Sequence, residues 1–111
     1  MVARAADALY RGDLGGLDER TLLDVFSEAP STTIARSELE GDGVPVLELL
    51  VRSGLDPSRS AARATISGGG AYVNDRRVTD LEQRVEEADL LAGSYVVLRK
   101  GRRSYHLVQF G

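Results

Sequence analysis

The chain contains no cysteine, and its single histidine, His106, has no second imidazole to work with. Disulfide scaffolds, thiolate metal sites and thiol redox chemistry are therefore excluded, and no histidine pair can hold a metal. A catalytic His106 would also need a nucleophile at a suggestive spacing, and none is there, so it reads as a hairpin residue with a structural or ligand-contacting role. Long apolar runs are missing too. The longest mostly apolar stretch, Val44 to Val51, is broken by Pro45 and Glu48, whereas a membrane helix needs roughly 20 such residues. The N-terminus sets Arg4, Asp7 and Arg11 among alanines and has no apolar centre of a secretory signal, so a cytoplasmic chain with no membrane partner is expected. Glu82, Glu86, Glu87 and Asp89 form no paired-carboxylate site and read as a solvated link.

What remains is ordinary globular material. The 111 residues are 42% hydrophobic and 28% charged, enough for one folded domain with a modest core and a short lead-in. The net charge of −3 conceals an asymmetry. Residues 1–43 hold four basic and nine acidic groups, whereas residues 44–111 hold ten basic and eight acidic, and no carboxylate follows Leu90. An acidic helical spacer ahead of a module with a cationic face is the expected arrangement, with the boundary at Gly41-Asp42-Gly43.

Local signals place the elements. Val2 to Tyr10 reads as helix, and Asp18 as the N-cap of another running to about Glu28, with Leu22, Leu23, Val25 and Phe26 as its buried stripe. Pro30 stops it, and Ser31 to Ile34 reads as extended chain. Pro45 suits the first turn of a helix that buries Val46, Leu47, Leu50 and Val51 and stops at Gly54. Ser58 caps the next helix, with Ala62 and Ile66 one turn apart on its inner side. The Gly68-Gly69-Gly70 run closes that helix and lacks the Lys-Ser/Thr of a phosphate loop, so it reads as a C-cap and turn. Ala71-Tyr72-Val73 and Arg76-Arg77-Val78 straddle Asn74-Asp75 as a hairpin, and Tyr95 to Arg99 with Ser104 to Phe110 form a second, turned around Lys100-Gly101. Thr79 to Gly93 reads as an irregular link. Tyr72, Tyr95 and Tyr105 could stack on bases, but strand core is the better reading.

The Ser58 helix carries Arg59 and Arg63 one turn apart, and the first hairpin adds Arg76 and Arg77. Guanidinium forks match phosphate geometry, and a helix N-terminus favours anions. On composition alone, a solvated basic face is the better reading. Motif order changes that. The run SRSAARATISGGGAYVNDRRVTD resembles the signature of the small RNA-binding domain named after the fourth small-subunit ribosomal protein, the S-four domain. The wider match, LLVRSGLDPSRSAARATISGGGAYVNDRRVTD followed by DLLAGSYVVLRKGRRSYHLV, resembles the C-terminal domain of bacterial tyrosyl-tRNA synthetases over roughly Val44 to Val108.

The resemblance implies an α+β fold, with two short helices packed on a small, mostly antiparallel sheet and a helical linker in front: residues 1–43 as the linker, residues 44–111 as the S-four-like domain. It implies RNA contacts from Ser58, Arg59, Ser60 and Arg63 on the helix, from Asn74, Arg76 and Arg77 on the hairpin, and from Arg99, Lys100, Arg102 and Arg103 around the terminal turn. The partner would be tRNA(Tyr), gripped at its long variable arm and adjoining stem. No motif like the HIGH and KMSKS signatures of such ligases is present, so this piece is expected to be non-catalytic. It would be monomeric and free of cofactor, while a parent tyrosine–tRNA ligase would dimerise through its catalytic domain and use ATP and magnesium. A start inside a linker-like helix adds the expectation of an excised piece. Ala61, Ala64 and Asp75 stand where the family usually has glutamate, a second basic residue and glycine, which removes the capping box and weakens the cationic face. A free-standing S-four protein on ribosomal RNA is the alternative, and a protein-docking domain built around the acidic first 43 residues is the third.

Overall fold

The computed structural model describes residues 18–111, so the helix expected at Val2 to Tyr10 lies outside the described residues. Helix α1 (Glu19–Val25) begins where expected, with the Asp18 carboxylate accepting from the Thr21 amide at 2.8 Å. Hydrogen bonding from the Thr21 side chain, and then from its amide, holds the Asp18 carboxyl below its ordinary range. The helix ends three residues earlier than Glu28. Leu22 and Phe26, four apart, are buried and Val25 is half-buried, but Leu23 is 40% exposed and leaves the expected stripe, because one helical face spans i and i+4 and not i+1.

Strand β1 (Ser31–Ile34) follows, then a 3-10 turn (Arg36–Leu39), β2 (Val44–Pro45), α2 (Val46–Arg52), α3 (Arg59–Ser67), β3 (Ala71–Val73), β4 (Arg76–Arg77), β5 (Arg84–Val85), a second 3-10 turn (Glu87–Asp89), β6 (Tyr95–Lys100) and β7 (Ser104–Phe110). The expected α+β class is what folds: helices on a mostly antiparallel sheet, with one parallel pair. The five strands run in the order β1-β7-β6-β3-β4, and β1 lies parallel to β7 with Ser31 opposite Leu107 and Ile34 opposite Phe110. Both expected hairpins form, and β3 pairs with β6 to fuse them into a single sheet. The link from Thr79 to Gly93 is less irregular than its composition implies. Its Arg84-Val85 pairs with Val44-Pro45, and Leu91 bridges to Tyr95. Two-residue strands are too short for a period-2 pattern to show in sequence.

Because side chains alternate along each strand, the sheet has two buried faces. One packs Val73, Val96, Leu98, Val108 and Phe110 against Leu49 and Leu50 of α2 and Ala62 and Ile66 of α3. The other receives α1, whose Leu22 and Phe26 meet Tyr95, Val97 and Leu107. Each such fully buried side chain contributes roughly 1.5 to 3 kcal/mol before entropy is counted. The Gly41-Asp42-Gly43 segment is a turn between the first 3-10 element and β2, and Ile34 and Leu39 before it share a core with Val46 and Leu50 after it.

Gly43 has φ +82, and a β-carbon there would overlap the Val85 carbonyl oxygen. Glycine is required where β5 approaches that closely. Gly43→Ala should cost at least about 2 kcal/mol, since the left-handed region alone costs an alanine roughly 1 to 2; denaturant titration checks this.

His106 is buried, and its Nε2 shares a hydrogen bond of 2.7 Å with Thr32 Oγ1 across the β1–β7 pair. Burial pushes its pKa below the ordinary 6.5. Below about that pH the unfolded chain binds a proton that the folded chain resists, so stability is complete above 6.5 and drains as the pH falls towards the lowered folded value. The melting temperature should therefore drop between about pH 7.5 and 5.5, and should drop less in His106→Asn.

Candidate nucleic-acid interface

Helix α3 is held at its start by Ser58, whose Oγ accepts from the Ala61 amide at 3.2 Å. No acidic residue lies in its first turn, and Arg59, Ser60 and Arg63 are all exposed. Arg59 pairs with Glu48 of α2 at 2.7 Å, but its side chain stays 65% exposed. Such a surface pair is worth roughly 0 to 1 kcal/mol and opens readily for a phosphate. Gly68 and Gly69 close the helix and turn the chain into β3, as expected of a C-cap.

The Asn74-Asp75 turn has φ values of 51° and 67°, the left-handed pair that a two-residue hairpin needs. It brings Arg77 opposite Tyr72, and the Tyr72 hydroxyl accepts from the Arg77 guanidinium at 3.1 Å. That bond, ahead of the nearby charges of Arg77 and Arg99, holds the Tyr72 hydroxyl below its ordinary pKa of 10.0. Arg63 and Arg77 then line one open cleft of about 1100 Å³, together with the apolar Leu47, Ile66 and Val78 and the acidic Asp80 and Glu82.

The other expected RNA-facing residues divide into those engaged inside the fold and those left open to a ligand. Asn74 donates to the Asp89 carbonyl at 2.7 Å and accepts from the Val97 amide at 2.9 Å, so both ends of its amide are used inside the fold. Arg99 donates to Asp75 at 3.3 Å and to the Gly101 carbonyl at 2.8 Å while lying 3.8 Å from the Tyr72 ring centre. Lys100 reaches the buried Asp56 at 2.7 Å and the Leu55 carbonyl at 3.2 Å. By contrast, Arg63, Arg76, Arg102 and Arg103 are exposed and make no ion pair among the described residues. Arg76 shares a hollow with Arg84 that also contains Asn74 and Asp89, apart from the Arg63–Arg77 cleft. Arg84 is an addition to the expected set, and its only signal is a two-residue strand that sequence periodicity cannot resolve. Among the described residues no cluster of histidine, cysteine or carboxylates could hold a metal, and no helix is long and apolar enough to cross a membrane.

These features define a class: a small α+β domain whose helix–hairpin edge and terminal turn present guanidinium groups. The family follows from comparison. The family model described as the tyrosine–tRNA ligase SYY-like C-terminal domain matches residues 22–108, and the chain belongs to that family. Tyrosine–tRNA ligases of Roseiflexus castenholzii and Streptomyces griseus are similar to it, at 43% identity over 105 residues and 44% over 111. These alignments cover 95% and 99% of this chain, which spans only about a quarter of each relative (25%). Among solved structures, a solution structure of a tyrosyl-tRNA synthetase C-terminal domain matches with a TM-score of 0.68 and 31% identity, covering 89% of this chain and 95% of that one.

Proposed function

We propose that this domain grips tRNA(Tyr) at its long variable arm and the adjoining stem, and so supports aminoacylation by a catalytic domain that this chain does not contain. The observation that carries the reading is the division of cations: Arg63 and Arg77 line one cleft beside the closing end of α3, while Arg102 and Arg103 lie in the β6–β7 turn. Two separated groups of available guanidinium forks suit phosphates on a duplex arm, where bidentate donors fix orientation without reading sequence. In this reading the domain itself is a monomeric cytoplasmic grip. ATP and magnesium chemistry and the dimer contact belong to the catalytic part of the ligase.

Titration with tRNA(Tyr), intact and with the variable arm deleted, tests the reading. The intact tRNA should bind more tightly, and its affinity should fall roughly tenfold or more between about 50 and 200 mM salt. Equal affinity for both tRNAs, or tighter binding of ribosomal RNA, would remove tRNA(Tyr) as the partner. A flat salt response would remove nucleic acid altogether.

A further inference from the structure

The sheet face that receives α1 carries a second feature beyond that helix. Tyr72 on β3 stands directly opposite both Arg77 on β4 and Arg99 on β6, and Arg99 in turn stands opposite Tyr105 on β7. Directly opposed residues share a face, so Arg77, Tyr72, Arg99 and Tyr105 form one row across four strands. The Arg99 guanidinium covers one side of the Tyr72 ring at 3.8 Å and lies 5.9 Å from the Tyr105 ring. Arg77 holds the ring's hydroxyl, with its own guanidinium carbon 5.6 Å from the ring centre. Tyr105 is backed by Phe26 at 5.6 Å. Tyr72 is thus fixed at its hydroxyl and across one face, and it remains partly exposed.

A held, partly exposed ring is a stacking platform that gives up little conformational entropy when something lands on it. A cation against one side of the ring draws electron density through it, which favours an electron-rich partner on the other side. The surroundings are cationic: Arg77 lies at the hydroxyl end of the ring, and the turn bearing Arg102 and Arg103 begins at Gly101, to which Arg99 is bonded. Charge of that sign on both flanks matches phosphates on either side of a base, and α1 already covers the more apolar part of this face.

We infer that Tyr72, held by Arg99 across one face and by Arg77 at its hydroxyl, is a stacking site for one unpaired purine of the bound RNA. The inference rests on the RNA-binding reading above and adds a contact to a base where that reading supplies only phosphates. Stacking of one base on an aromatic side chain is worth roughly a 5- to 100-fold change in affinity.

The test compares the 111-residue chain with Tyr72→Phe and Tyr72→Leu against three probes: tRNA(Tyr), oligoadenylate, and an abasic ribose-phosphate oligomer of the same length and charge. The wild type should prefer oligoadenylate to the abasic oligomer by roughly fivefold or more. Tyr72→Phe should keep most of that preference, and Tyr72→Leu should lose it while binding the abasic oligomer as before. That unchanged abasic binding is also the control for an intact fold. Binding of tRNA(Tyr) with no preference for oligoadenylate, or a preference that survives Tyr72→Leu, would overturn the stacking site and leave the tRNA reading standing. Failure to bind any of the three probes would overturn both.

Discussion

Replacing Arg63, Arg77, Arg102 and Arg103 together with alanine is expected to lower the affinity for tRNA(Tyr) by on the order of 100-fold or more at low salt, while the unfolding midpoint moves little. Charge-assisted hydrogen bonds are worth roughly 1.5 to 3 kcal/mol each when both partners are committed, and exposed arginines keep only part of that because water screens them. Four partly screened interactions still exceed about 2.7 kcal/mol, or roughly 100-fold. None of these four side chains forms an ion pair among the described residues, and Arg77 bonds only a tyrosine hydroxyl. Little of the fold depends on them. The slope of log affinity against log salt should flatten by up to about 0.9 for each phosphate that the variant no longer neutralises. A quadruple variant that binds like wild type would remove both guanidinium groups from the interface.

Lys100→Met is expected to act on stability and not on RNA. Asp56 is 1% exposed, and its Oδ1 accepts from Lys100 at 2.7 Å and from Thr65 at 3.0 Å. Its Oδ2 has no partner among the described residues. Removing the ammonium strands a buried carboxylate, a change that typically costs about 3 to 5 kcal/mol. The Lys100 side chain is 39% exposed. Water therefore already screens part of the pair, and the expected loss is about 3 kcal/mol, the low end of that range. For a domain of this size that lowers the melting temperature by roughly 12 °C or more. The double change Lys100→Met with Asp56→Leu should recover much of it, because the uncompensated charge is then gone. Measured well below the melting transition, tRNA affinity of Lys100→Met should stay within about threefold of wild type, less than one committed charge-assisted bond is worth. A large fall in affinity with unchanged melting would return Lys100 to the interface.

The two variants separate cations that look identical in sequence. The terminal turn reads Arg-Lys-Gly-Arg-Arg, five residues with four positive charges, and composition offers no reason to rank them. The fold ranks them by what lies opposite. Arg99 and Lys100 sit on strand β6, where register sets Arg99 against Tyr72 and the Lys100 ammonium reaches Asp56, while Arg102 and Arg103 fall in the turn beyond the paired residues. The same holds for the first hairpin. Asn74 looks like a polar tip, yet its amide is bound to Asp89 and Val97, 15 and 23 residues away.

Features whose partners lie within a few residues were legible before any fold was known. The Asp18 and Ser58 caps, the closing glycines after α3, the left-handed Asn74-Asp75 turn and the inward positions of Ala62 and Ile66 each depend on bonds or spacings of two to four residues, and all are found. The order of these motifs, with the basic terminal hairpin, was also enough to place the family. Long-range pairing was not legible. It took the assembled sheet to join the two hairpins through β3 and β6, to set β1 parallel to β7 at its edge, and to lay α1 on the face opposite α2 and α3. The same assembly sorted the engaged cations from the available ones. Strand register and ion pairing join residues such as Asp56 and Lys100, 44 apart, and no local propensity carries the identity of a partner at that distance.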